Sequence, residues 1–164
     1  HEIALHNNAI VAALLQDRDP FEILEEELSH LRKHGFEIVG TVAHGDRLCR
    51  DLGFNNSELF AECPDPSGRD PQREIVRIDP VTGRRTAVRL SPAPMSRFGL
   101  THEAMVLGNV DYLSDTGGRW HRPFADVAAA YERDGGFLQV LAHPVWWALG
   151  GEPFTPRPAV DPAS

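Results

Sequence analysis

A chain of 164 residues, 41% hydrophobic and 24% charged, has the composition of a soluble globular protein with room for one domain and a sizeable core. Its formal net charge of -8 excludes the basic face of a nucleic-acid binder, and no apolar run reaches the ~20 residues that span a bilayer. Cys49 and Cys63 form no Cys-x-x-Cys pair and read as free thiols, which favours a reducing, cytoplasmic compartment over a disulfide scaffold.

The opening "HEIALHNNAI" places a short apolar strand at 3–6, ending at His6. A strand that begins at once should have earlier elements before it. With His1 in place of Met, the chain reads as a fragment lacking its N-terminal strand or strands, and any signal peptide would lie there. Asp19-Pro20 is an N-cap followed by proline at the first helical position. Phe21, Leu24, Leu28 and Leu31 then share one helical face, and Gly35 supplies the stop. "FEIVGTVAHG" (36–45) is a buried strand ending at His44-Gly45, and 46–73 is polar loop with a short helix near 46–52.

Residues 74–90 alternate in two arms around Pro80-Val81-Thr82-Gly83 and predict a hairpin. A short helix is expected at 101–106, a strand at 110–115 and a helix at 123–134 with Gly135-Gly136 after it. "FLQVLAH" (137–143) is a strand closed by Pro144. The segment 150–164 carries four prolines and little apolar content, so it is expected to be a poorly ordered tail behind a domain at 1–149. Strands alternating with helices predict parallel β-α-β units, and the fold class is α/β: an incomplete, distorted (β/α) barrel with an inserted β-hairpin.

On that map the polar residues gather at strand ends. His6, His44, Asp115 and His143 each close a strand, and in parallel α/β folds the C-terminal strand ends form the rim where active sites are built. Imidazole and carboxylate suit zinc and similar divalent metals. Bland readings stand beside this one: a strand-end histidine also serves as a loop-capping hydrogen bonder, and Asp115 can cap the Thr116-Gly117-Gly118 turn. His30 and His34, at i and i+4, lie off the apolar stripe on a solvated face. Trp146 and Trp147 are core or the wall of a sugar site. His102 and His121 fall in loops and take no role.

At "HEIALH", "AHG", "YLSDTGGRW" and "LAHPVWW" the sequence resembles the polysaccharide deacetylase superfamily, the chitooligosaccharide-deacetylase-like carbohydrate esterases. It resembles especially a divergent branch among bacterial surface-polysaccharide biosynthesis proteins. The resemblance spans residues 1 to about 147. It implies a distorted barrel holding one divalent metal, zinc by its ligand types. The family's first motif, with a catalytic-base Asp and a metal Asp, has no match here and would precede His1. His6 matches the first histidine of the second motif, H-x-x-x-H, but Ile10 stands where its second histidine belongs. His44 is the candidate replacement ligand, and Arg47 in "AHGDR" takes the place of the arginine that holds the base. "SDTGGRW" matches the fourth motif, giving Asp115 an orienting role and Arg119 and Trp120 places along the substrate groove, with Trp146 beside them. "LAH" matches the fifth, making His143 the general acid.

The implied function is metal-dependent hydrolysis of an N-acetyl or O-acetyl group on a sugar or polysaccharide, with an acetylated saccharide as substrate. Loss of the second motif histidine leaves a rival, a non-catalytic deacetylase-like domain that binds sugar or a partner in surface-polysaccharide biosynthesis.

Overall fold

The computed structural model describes residues 2–107, 110–116 and 118–143. The chain forms a mixed α/β structure in two compact units, His1–Leu107 and Gly108–Ser164. The expected tail at 150–164 and Trp146 lie outside the described residues.

In the first unit, β1 (Ile3–Asn7), β2 (Ile38–Ala43) and β5 (His102–Glu103) form a parallel sheet in the order β1-β2-β5. Between β1 and β2 run two helices, α1 (Ala9–Gln16) and α2 (Pro20–Lys33). α1 is apolar almost throughout, and Ala9, Ile10, Val11, Ala13 and Leu14 are all buried. An eight-residue helix gains little from propensity alone. Burial holds it, at about 1.5–3 kcal/mol for each large aliphatic side chain. α2 starts as its sequence dictates: Asp19 accepts from Phe21 N at 2.8 Å and Glu22 N at 3.1 Å, Pro20 follows, and Ile23, Leu24 and Leu28 face the core.

α3 (Arg47–Leu52) is the short helix expected near 46–52, and a 3-10 turn at Asn56–Leu59 follows it. The hairpin is formed by β3 (Glu74–Ile78) and β4 (Arg85–Arg89), antiparallel, with Ile75 opposite Val88 and both buried. Asp79 builds its turn by accepting from Val81 N and Thr82 N.

The helix expected at 101–106 is not formed. His102 and Glu103 instead pair with Gly40 and Thr41 as β5, and Ala104–Val106 is a single 3-10 turn. The Glu103 carboxylate accepts from Met105 N at 3.1 Å, a local bond that caps the turn and ends the strand.

The second unit is one β-α-β element: β6 (Val110–Ser114), α4 (Phe124–Asp134) and β7 (Phe137–Leu141). β6 and β7 are parallel in continuous register from Val110↔Phe137 to Ser114↔Leu141, with Leu113 and Val127 buried.

Candidate functional site

In each unit, two adjacent parallel strands deliver polar side chains at their C-terminal ends. In the first unit His6 pairs in register with Val42, and the ladder continues past β2 through His44 N, which donates to Asn7 O at 2.8 Å. Side chains alternate along a strand, so His6, Val42 and His44 fall on one face. The two imidazoles lie edge to face, ring centroids 4.8 Å apart and planes at 63°. His44 Nδ1 is buried and has no hydrogen-bond partner among the described residues.

Beneath this pair is a network of asparagines that sequence reasoning left unassigned. Asn7 and Asn56 are both fully buried. Asn7 Oδ1 accepts from Ala9 N at 3.0 Å, while Asn56 Oδ1 accepts from Ile10 N at 3.1 Å and Val11 N at 3.3 Å. Together they satisfy the free N-H groups at the start of α1, a task the N-cap residue Asn8 leaves undone. Asn56 Nδ2 donates to His44 O at 2.9 Å and to Asn8 Oδ1 at 3.2 Å, and Asn7 Nδ2 donates to Asn56 O at 3.0 Å. The available signal was the capping pattern Asn55-x-x-Glu58, whose reciprocal bonds fix the turn that carries Asn56.

Glu103 is a second missed residue. It is 1% exposed, and its Oε1 accepts from Ala43 N at 2.9 Å. Its Oε2 has no partner among the described residues. Burial pushes its carboxyl pKa up, outweighing the two backbone N-H groups that lower it. Cys49 and Cys63 are buried free thiols. Burial, followed by the charges of Glu103 and Glu62, pushes the Cys63 thiol up to about 11, and burial likewise raises Cys49.

In the second unit Asp115 follows β6 and His143 follows β7, one step beyond the last paired residues. Asp115 is fully buried. Its Oδ1 lies 2.6 Å from His143 Nδ1, and its Oδ2 accepts from His143 N at 2.7 Å. The His143 side chain is 37% exposed. The bland role of Asp115 is filled too, but by its backbone: its carbonyl accepts from Gly118 N and Arg119 N, leaving the carboxylate to the histidine.

The substrate candidates are placed unevenly. Arg119 is half-buried in the turn after Asp115, and Trp120 packs against Phe124 with ring centroids 5.7 Å apart. Phe124 was not foreseen. Arg47 is 84% exposed at the start of α3 and pairs with Asp51 at 3.2 Å, the geometry of an ordinary surface i,i+4 pair.

Two imidazoles side by side, one with a buried ring nitrogen that nothing in the described chain satisfies, offer the neutral nitrogen donors that zinc-like cations take. No group of three His, Cys, Asp or Glu suited to a metal occurs among the described residues. Ile10, standing where a further histidine was sought, is buried in α1 and packs in the core. No helix among the described residues is long and apolar enough to cross a membrane.

Searches against family models, curated proteins and solved structures find no match to this chain.

Proposed function

We propose that residues 1–149 are the C-terminal portion of an incomplete (β/α) barrel of the polysaccharide-deacetylase type, and that the chain hydrolyses an acetyl group, N-linked by preference, on a saccharide. The observation that carries this reading is the Asp115–His143 pair: a buried carboxylate gripping an exposed imidazole at adjacent parallel strand ends. That arrangement leaves Nε2 as the working atom of a general acid–base histidine. Asp115 fixes the ring and holds the proton at Nδ1, while His143 Nε2 delivers a proton to the departing amine. Trp120, braced by Phe124, presents an aromatic face on which a sugar ring stacks. Arg119 supplies donors to sugar oxygens.

His6 and His44, both in the first unit, would hold one divalent metal, zinc by donor type, which would supply Lewis acidity to an oxygen bound there. This role requires a further ligand and a general base beyond the residues described.

The second reading, a deacetylase-like domain that binds sugar or a partner without catalysis, is favoured by one observation. The position of the expected second motif histidine is core, filled by Ile10. Acetate release from N-acetylated chitooligosaccharide, assayed with added zinc, separates the two. Turnover that disappears in His143→Ala supports hydrolysis, whereas saturable saccharide binding with no acetate release supports the binding domain.

A further inference from the structure

Three segments of the first unit meet at one amide. Asn56 Oδ1 takes the first N-H groups of α1 through Ile10 and Val11, its Nδ2 takes the carbonyl of His44, and its own carbonyl takes the side chain of Asn7, the residue after His6. Only a planar carboxamide offers two acceptor lone pairs and two N-H donors from one buried position. An aspartate keeps the acceptors and loses the donors, and a serine offers a single proton.

We propose that Asn56 is a positioning residue for the His6–His44 pair, an inference that rests on the metal reading only for its affinity arm. His44 lies past the last residue of β2, at the end of the ladder. Its backbone N-H is fixed by Asn7 O and its carbonyl by Asn56 Nδ2, so the residue is clamped on both sides while its ring stays 4.8 Å from that of His6. The turn bearing Asn56 is itself fixed, because Asn55 and Glu58 cap each other and Glu58 is ion-paired to Arg73 at 2.6 Å. Paired ligands must be held within about 0.5 Å of working geometry, and outer partners of ligating histidines typically carry 10–100-fold of metal affinity. The clamp acts on the backbone of His44, so it works whichever ring nitrogen takes the metal.

The test uses the whole chain and three variants. Asn56→Asp keeps acceptors for Ile10 and Val11 but loses the donors to His44 O and Asn8. Asn56→Ala loses both sets. Thr86→Val, which deletes the buried bond from Thr86 Oγ1 to Leu14 O at 2.7 Å, serves as a destabilised control on the hairpin. The first readout is the NOE between His6 and His44 ring protons in metal-free protein, and the second is zinc affinity by chelator competition. Asn56→Asp should lose the NOE and about 10–100-fold in zinc affinity, and Thr86→Val should keep both. If Asn56→Asp behaves like Thr86→Val at matched melting temperature, Asn56 holds the fold and nothing more. If the parent and His6→Ala bind zinc equally weakly, the metal reading fails, and the NOE alone decides the positioning role.

Discussion

Asp115 holds His143 through two bonds at once, Oδ1 to the ring nitrogen at 2.6 Å and Oδ2 to the backbone N-H of the same residue at 2.7 Å. A carboxylate that grips ring and backbone together fixes both the position of the imidazole and which nitrogen faces outward. An asparagine at 115 reverses this order: with its oxygen accepting from the backbone N-H, its NH2 group donates to Nδ1 and the proton of the neutral ring moves to Nε2. Asp115→Asn and His143→Ala should therefore each lower acetate release by about 10²–10⁴-fold while leaving bound zinc unchanged. Acetate assays and metal analysis on the same samples check it. A parent-like rate in either variant removes the pair from the reaction, and lost zinc in His143→Ala would make that histidine a ligand.

His6 is placed on the exposed face of β1 beside His44. Its replacement by alanine should leave the melting temperature within a few degrees and remove most of the zinc. Elemental analysis after dialysis against a weak chelator reads the result. Unchanged stoichiometry would count for the binding-domain reading.

Much of this architecture was legible where sequence periods were strong. The hairpin at 74–90 announced itself through alternation around Pro80-Gly83, and α2 through Asp19-Pro20 and its Leu24/Leu28 stripe. α1 was not legible. Its run "AIVAALLQ" is apolar on every side, and a short continuous apolar stretch carries no period that separates helix from buried strand. Its cap comes from Asn56, some 46 residues downstream of Ile10, a contact that no local pattern encodes. The same holds for Glu103: a carboxylate in an otherwise helix-compatible stretch became a buried strand residue by pairing with the edge of β2 that β1 leaves open. Within each unit the strand ends bring His6 beside His44 and Asp115 beside His143. Arg47 stands exposed at the start of α3 and pairs with Asp51.

Asp17 closes α1 with φ 58°, the left-handed region that costs a side-chain-bearing residue about 1–2 kcal/mol. Aspartate tolerates it better than most, and its exposed pair with Arg84 at 2.7 Å adds little. Asp17→Gly should hold or raise the melting temperature, and Asp17→Val should cost about 1–2 kcal/mol in urea unfolding. Equal stability of the two variants would mean that the turn relaxes out of the left-handed region.

Glu103 makes stability depend on pH in a direction that can be worked out. Its folded pKa is raised, chiefly by burial, so above the ordinary carboxylate range the folded chain keeps a proton that the unfolded chain has released. A group with a raised folded pKa contributes stability that is complete below the unfolded pKa and is lost as pH climbs through the folded one. The slope between those limits is about 1.4 kcal/mol per pH unit for one proton. Glu103→Gln leaves an oxygen to accept from Ala43 N and Met105 N and cannot ionise. The variant should therefore lose less stability than the parent as pH rises from about 5 upward, the window that opens just above the unfolded carboxylate pKa. Glu27, also raised by burial, remains in both proteins and cancels in the difference. Urea unfolding of both proteins at matched pH values gives that difference directly. Curves that fall in parallel would show that Glu103 is ionised in the fold and that its Oε2 finds a partner in solution.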